Sequence, residues 1–346
     1  MASLGVTAAT DLASGLLAFY VREKMLSQTT QDKPVLKDFS AKSENFPGGL
    51  SYQISVPVQF GYMSDVAGFF QGYQGDDQLQ FSSASNMLRA SYNGKQHHAG
   101  LWITWDELKQ DGVSIEKGQK TKQHSKSDLF QLCSVLQNRL DDFGESWSRA
   151  VEHLFWMDGS QDAKAMPGIL SLVFDNPAVG AVGGLSPVTY PRWQNRSNLN
   201  IAASGATQNL IRTISQELIQ LRRFGGKPTN LYMGSDFRNA LELELRANGY
   251  YTQEGFSKNQ DISIGDIVIK GVGSFKYEPW LDDHGRGKYC YCLDTSKIKL
   301  RPMEDEFNKL IVPERPYNYL VFLQSMVTTC AMQITQRNAQ EVFSVA

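Results

Sequence analysis

Apolar and polar residues alternate along residues 50–60 more regularly than anywhere else in the chain. Six apolar positions are separated by single polar ones: Leu50, Tyr52, Ile54, Val56, Val58 and Phe60. A period of two predicts a β-strand with one buried face. Pro57 lies on the polar side of this pattern and cannot donate a ladder hydrogen bond, so we expect the strand at the edge of its sheet.

A second strand is predicted at Leu101–Trp105, after a long tract rich in Gly, Gln and Ser. Two strands separated by such a tract predict a long projecting hairpin with an elaborated tip. An exposed hairpin edge promotes aggregation unless another subunit covers it.

The longest helix signal begins near Leu129. From there to Leu154 the apolar residues recur at steps of three and four, which predicts one amphipathic helix over residues 125–157. Ser125 and Asp128 form a candidate capping box, and Gly159 follows the far end. About 30 residues at 1.5 Å each give a rod of roughly 45 Å.

The second half of the chain mixes helices and strands without a βαβ rhythm, which predicts the α+β class. Helices are predicted at about 206–224 and 235–248, and strands at 230–233, 262–270, 289–293, 298–301 and 317–334.

The first 48 residues predict an arm. A short helical piece from Leu12 to Tyr20 precedes a polar run, Ser27–Ser43, which needs a neighbouring surface in order to fold. The apolar stretch Leu12–Val21 spans only ten residues and is followed, not preceded, by basic residues. It therefore fits neither a signal peptide nor a membrane span.

Composition indicates a soluble globular protein of one large or two modest domains, with 346 residues, 41% hydrophobic and 20% charged. The net charge of −2 argues against a protein that grips nucleic acid through a basic face. One basic run stands out, with Lys117, Lys120, Lys122 and Lys126. It is either a weak phosphate-contacting, DNA-facing patch or, as we favour, a solvated loop before the helix.

Candidate chemistry is sparse, and we predict no catalytic, metal-binding or cofactor-binding residues. Cys290 and Cys292 flank one residue of a predicted strand without a second cysteine pair, so core packing is favoured over zinc binding. Such unpaired thiols suit a reducing cytoplasm. Gly271-Val-Gly273 lacks the third glycine and the helix of a nucleotide-binding turn.

Residues 183–195 carry large apolar anchors on a segment interrupted by Pro187 and Pro191. Because proline biases its predecessor toward extended backbone, the segment is predicted to be extended. Tyr190 and Trp193 would then dock onto a surface, since a tryptophan buries roughly 150–250 Å². An ordered loop between two elements explains the composition equally well.

This segment resembles a motif of tailed-bacteriophage major capsid proteins. The matching residues are Val182, Gly183, Gly184, Leu185, Tyr190, Pro191, Trp193 and Asn195. The chain departs from the motif at Ser186, Pro187 and Gln194, so electrostatic roles at those positions are not carried over. Residues 291–296 and 336–338 also resemble family segments.

The resemblance implies the Hong Kong 97-like major capsid fold. Its parts would be an N-terminal arm (1–48), an extended E-loop (49–112), a peripheral domain (113–202) with the spine helix (125–157), an axial domain (203–290), strands returning to the peripheral domain (291–336) and a tail joining the axial domain (337–346). The glycines, Tyr190, Trp193 and Asn195 would be structural or assembly residues.

The implied function is mechanical. Copies would form hexamers and pentamers that close an icosahedral shell around double-stranded DNA, without sequence-specific binding. A separate scaffolding protein, a portal and a decoration or cement protein would be partners, and no membrane would be involved. Assembly would take place in the host cytoplasm, and the mature virion would retain the protein. The alternatives are an encapsulin-like shell and, from a different class, an α/β enzyme with an unrecognised site.

Overall fold

The computed structural model describes residues 31–47, 52–66, 69–78, 81, 83, 86–104, 106, 126–204, 209–228, 230–247, 267–269, 273–314 and 321–346. The helices are α1 Pro34–Ala41, α2 Lys126–Trp156, α3 Ile169–Leu172, α4 Asn209–Arg223, α5 Ser235–Ala247 and α6 Pro279–Asp283. The strands are β1 Gln53–Gln59, β2 Met87–Asn93, β3 Lys95–Thr104, β4 Arg196–Ile201, β5 Asn230–Met233, β6 Ile267–Ile269, β7 Gly273–Tyr277, β8 Tyr289–Leu293, β9 Ile298–Pro302, β10 Lys309–Glu314, β11 Val321–Ile334 and β12 Glu341–Val345.

The chain divides into two compact units. Among the described residues, the first unit contains 31, 96–151 and 303–329. It holds most of α2, whose bounds differ by one residue at each end from the predicted helix. Strands β10, β11 and β3 lie side by side in that order. The indole N–H of Trp147 on α2 donates to Asn308 Oδ1 at 3.0 Å, which ties the helix to the turn before β10.

The second unit takes in residues 32–95, 152–302 and 330–346 and is built on a six-stranded sheet in the order β4-β12-β8-β5-β7-β6. Helices α4 and α5 cover one face. Their inward residues pack on alternate residues of the strands, among them Cys290 and Cys292, whose side chains are fully buried in this core. The predicted core role of these two thiols is confirmed.

The C-terminal tail joins this sheet. Strand β12 lies between β4, with which it is parallel, and β8, with which it is antiparallel. Strand β8 also belongs to this sheet. The predicted domain bounds placed its residues 291–293 in the peripheral domain, together with the strands that follow. Farther along the chain, residues 330–334 of β11 pair with β9.

Strands β1 and β2 form a separate two-stranded hairpin, in register from Gln53↔Asn93 to Gln59↔Met87. The predicted strand over residues 50–60 and its edge position are confirmed, with Pro57 opposite Arg89. Its predicted partner was wrong, because residues 101–104 belong to β3 in the sheet with β11. The true partner, β2, has only Ala90 at the centre of its apolar face, which weakens the alternation signal.

Part of the polar N-terminal run forms α1, which belongs to the second unit. Val35 and Phe39 are buried, consistent with the expectation that this run needs a surface to fold on. The predicted helical piece at residues 12–20 lies outside the described residues.

Candidate functional site

The two glycines of the sequence motif form a tight turn. Val182 and Leu185 exchange two backbone hydrogen bonds, both 3.1 Å long, and Gly183 and Gly184 between them have φ of 61° and 81°. A positive φ at both central residues is typical of a type I′ turn. Residues with a Cβ adopt this backbone conformation less readily than glycine does. The carbonyl of Gly183 also accepts from Ser91 N at 2.9 Å, which attaches the turn to β2 of the hairpin.

Gly183 is required for a second reason, which is close packing. A Cβ at this position would lie 2.8 Å from the Cβ of Ala90 and 3.1 Å from the ring of Tyr92. At Gly184 no atom of the described residues would lie within 4 Å of an added Cβ. The first glycine therefore permits both the turn and the approach of β2, whereas the second permits only the turn.

Trp193 closes the segment that the glycine turn opens. Its side chain is 2% exposed, and its indole N–H donates to the carbonyl of Val182 at 3.1 Å. Trp193 lies at the end of a single 3₁₀ turn, Pro191–Trp193, and residues 187–189 also form a turn. The segment is thus a series of turns and not the extended strip that was predicted. Pro191 begins the 3₁₀ turn, because its fixed φ suits that position.

Asn195 satisfies its full hydrogen-bonding capacity inside the protein. Its amide group donates to the carbonyls of Phe174 and Arg196 at 2.8 and 3.0 Å. Its carbonyl oxygen accepts from Phe174 N and from the Arg337 guanidinium, both at 3.1 Å. An asparagine offers two donors and two acceptor sites, so this side chain fixes three chain segments at once.

Arg337 is the partner that the sequence analysis did not identify as a site residue. Its side chain is fully buried, and it also donates to the carbonyls of Leu172 and Trp193 at 2.8 and 3.1 Å. The guanidinium lies over the Phe174 ring, 5.0 Å from its centroid. Burial lowers the pKa of Arg337 to about 10. We call residues 182–195 the connector. Because the planar guanidinium of arginine can donate to several acceptors at once, Arg337 ties the C-terminal segment to the connector.

The connector also holds the base of the hairpin. The Tyr190 ring stacks on Phe60, with centroids 4.8 Å apart, and Trp193 meets the same ring edge-on at 5.9 Å. Arg192 donates to the carbonyl of Phe60 at 2.8 Å and to Asp65 Oδ2 at 3.0 Å. The Tyr62 backbone N–H and the Arg192 guanidinium lower the pKa of Asp65.

The hairpin loop, residues 60–86, carries the most exposed large apolar side chains of the described chain. Phe70 and Phe81 are 96% and 95% exposed, and Tyr62, Phe69 and Tyr73 are also exposed. A groove of about 630 Å³ lies at its base, lined by Gln59, Tyr62, Met63, Ser64, Phe69, Asn86 and Met87. Together these exposed aromatic side chains form an apolar surface of the kind that marks protein–protein interaction sites.

The structure brings the five predicted connector residues together in one unit. Lys117, Lys120 and Lys122 lie outside the described residues, and Lys126 is the first residue of α2, with its side chain outside them as well. In the part of the chain that the structure describes, no three His, Cys, Asp or Glu side chains are placed to hold a metal ion. No helix there is long and apolar enough to cross a membrane.

Comparison with known proteins gives no match to a family model. No curated protein matches the sequence either. Solved structures do match. A chain of the cyanophage A-1(L) capsid asymmetric unit is 12% identical with a TM-score of 0.64, covering 92% of this chain and 94% of that one. A chain of the Myoviridae phage XM1 capsid is 11% identical with a TM-score of 0.57, covering 93% and 95%.

A chain from mycobacterium phage Bobi is similar to the same extent, with 11% identity, a TM-score of 0.53 and coverage of 95% and 97%. These likenesses extend over nearly the whole of both chains in each comparison. The chain therefore has the α+β fold of phage capsid subunits, which confirms the predicted fold class and the resemblance on which it was based.

Proposed function

We propose that this chain is the major capsid protein of a tailed bacteriophage, which assembles as hexamers and pentamers into an icosahedral shell around double-stranded DNA. The observation that carries the proposal is the likeness to a subunit of the cyanophage A-1(L) capsid, which covers 92% of this chain and 94% of that one. A structural, non-enzymatic role follows from the same likeness.

The hairpin supports assembly on independent physical grounds. The sheet of β1 and β2 packs on the connector at Ala90 and Tyr92, so its loop, and not its inner face, offers the surface to a partner. Its loop exposes Phe70 and Phe81 almost completely. Burying one such ring stabilises a contact by about 1.5–3 kcal/mol. A surface of this kind is stable only when it is covered, and in a shell a second copy of the chain covers it.

The connector contributes to assembly indirectly in this proposal. Trp193 and Tyr190 contact Phe60 where the hairpin begins. The connector therefore sets the direction in which the hairpin leaves the subunit.

The domain assignment extends the proposal to the rest of the chain. Residues 1–48 serve as the N-terminal arm, 49–112 as the E-loop, 113–202 and 294–336 as the peripheral domain, and 203–293 with the tail 337–346 as the axial domain, where residues 291–293 are included because β8 pairs with β5 and β12. Strand β12 of the tail pairs within the six-stranded sheet, which supports the last assignment.

The partners and location follow from the proposed role. A separate scaffolding protein guides assembly in the host cytoplasm, a portal occupies one vertex, a decoration or cement protein binds outside, and the mature protein resides in the virion. A net charge of −2 per copy suits a wall that does not grip the packaged DNA. Electron microscopy of the purified chain tests the proposal, since it predicts shells or capsomers. Nucleic acid inside native shells favours a phage capsid, and a protein cargo favours an encapsulin-like compartment.

A further inference from the structure

Two buried carboxyl groups, those of Glu152 and Glu278, interact directly where α1 lies on the end of α2. Glu152 is in the last turns of α2, and Glu278 directly precedes α6. Glu152 is nearly inaccessible to solvent and Glu278 is fully so. Water cannot compensate their charges there, and burying two facing carboxylates is unfavourable unless a proton lies between them.

The hydrogen bonds assign a different role to each carboxyl. Both oxygens of Glu152 accept backbone N–H groups at the start of α1, from Val35 at 3.3 Å and Leu36 at 2.6 Å. This is the geometry of a carboxylate that caps a helix N-terminus, where negative charge is favoured. Glu152 is therefore the group that benefits from being ionised.

Glu278 has the complementary arrangement. Its Oε1 accepts the N–H of Trp280 at 3.2 Å, and its Oε2 makes no hydrogen bond among the described residues, although the buried indole N–H of Trp156, itself without an acceptor there, lies close to this carboxyl. An unpartnered buried carboxyl oxygen beside a carboxylate is the position for a proton. We propose that Glu152 and Glu278 share one proton and form a pH-sensitive latch, which holds α1 against the end of α2 and releases it at alkaline pH.

The electrostatic surroundings agree with this geometry. Burial raises the pKa of Glu278, and the charge of Glu152 raises it further, with the Trp280 N–H opposing the shift. Burial also raises the pKa of Glu152, against the Leu36 N–H and the charge of Lys33. Because the folded pair keeps a proton that unfolded carboxyl groups have already released, the attachment weakens as pH rises.

Other titratable groups surround the pair. Asp38 of α1 binds Lys276 on β7 and the Tyr232 hydroxyl at 2.6 and 2.7 Å. Neither bond involves Glu278, so Glu278→Gln separates the proposed response from any change in these bonds.

Tyr232 on β5 and Tyr277 on β7 face the pair from the sheet. Burial raises the pKa of Tyr277 to about 12 and that of Tyr232 further, so both stay neutral. His153 follows Glu152 on α2, and its pKa is lowered by burial and by His284, so it is neutral above pH 7.

Hydrogen exchange tests the latch, because the amides of Val35 and Leu36 report directly on the bonds to Glu152. Protection factors, which are corrected for the intrinsic alkaline acceleration, are measured on the full chain from about pH 6 to pH 10. We expect protection at these two amides to fall by up to tenfold per pH unit for the proton released. In Glu278→Gln, whose amide still donates to Glu152 but does not titrate, we expect protection to stay constant.

An internal control lies in the same unit. The amides of Leu210 and Ile211 donate to the buried carboxylate of Glu244 at 3.2 and 3.1 Å, and they report any general alkaline loosening. Constant wild-type protection at Val35 and Leu36, or a parallel fall in Glu278→Gln, overturns the proposal. If that variant does not fold, infrared difference spectroscopy of the wild type decides. Glu341 is another buried carboxyl with a raised pKa, so the spectra are recorded in a Glu341→Gln background. A protonated-carboxyl band that remains there and is lost on alkaline titration supports the latch, and its absence overturns it. Both readouts concern a single subunit and do not depend on shell formation.

Discussion

The indole N–H of Trp193 donates to the carbonyl oxygen of Val182 at 3.1 Å, joining the two ends of the connector. Between these residues the chain makes the glycine turn and the turns around Pro187 and Pro191, so one hydrogen bond closes a compact loop. The same indole ring meets Phe60 at the start of the hairpin loop. Trp193 therefore links the internal shape of the connector to the position of the hairpin.

Replacing Trp193 should cost more stability than any other change in the connector. We expect Trp193→Ala to lower the free energy of unfolding by about 3–5 kcal/mol, since it leaves a cavity and removes one of the two hydrogen bonds that the Val182 carbonyl accepts. The measurement is denaturant unfolding, or the soluble yield if the variant does not fold. Val188, in the same segment and 75% exposed, provides the control. Equal stability of Trp193→Ala and Val188→Ala would show that the indole does not organise the connector.

The two glycines should respond differently to alanine. Gly184→Ala introduces a side chain at φ 81° into open space and should cost about 1 kcal/mol. Gly183→Ala has a similar backbone penalty and also contacts the Ala90 Cβ at 2.8 Å, so we expect a clearly larger loss. Thermal unfolding of the two variants side by side checks this order. The reverse order contradicts the assigned packing against β2.

Arg337 should not tolerate lysine. We expect Arg337→Lys to lower stability by about 1.5–3 kcal/mol, because one ammonium group cannot reach the oxygens of Leu172, Trp193 and Asn195 together. Arg192→Lys is the matched control. Its ion pair with Asp65 is exposed, so the change should stay within about 0.5 kcal/mol. Similar values for both variants, from urea unfolding, would contradict the buried anchoring role.

The hairpin aromatics should matter for association and not for folding of the subunit. We expect the double change Phe70→Ser and Phe81→Ser to leave thermal stability of the subunit unchanged and to abolish higher assemblies. Both rings are almost fully exposed in a single copy, so their loss removes no internal packing. Leu243→Ser, at an exposed apolar position on α5, is the control and should still assemble. Sedimentation velocity distinguishes these outcomes.

Regular periodicity made several elements predictable from the sequence. The alternation around Val56 identified β1, and the steps of three and four identified α2. Strand β2 was missed because Ala90 and Ser91 give a weak β signal. Its pairing with β1 depends on residues about 30 positions apart, which no local pattern encodes.

The connector was predictable as a group of residues but not as a set of contacts. Large aromatic residues between prolines indicated docking, yet the surface for Trp193 is formed by Phe60, far away in the chain. Arg337 was missed as a site residue because charged side chains are usually exposed, and only the fold brings three acceptors to it. The buried pair Glu152 and Glu278 was missed for the same reason.

Electron microscopy of the purified full-length chain, with mass photometry of the same samples, tests the proposed capsid role most directly. The chain and its Phe70→Ser/Phe81→Ser variant are examined in buffer and with a crowding agent that favours association. We predict closed shells, or rings of five and six copies, for the wild type and isolated subunits for the variant. A wild type that remains monomeric in both conditions, indistinguishable from the variant, would contradict the assignment.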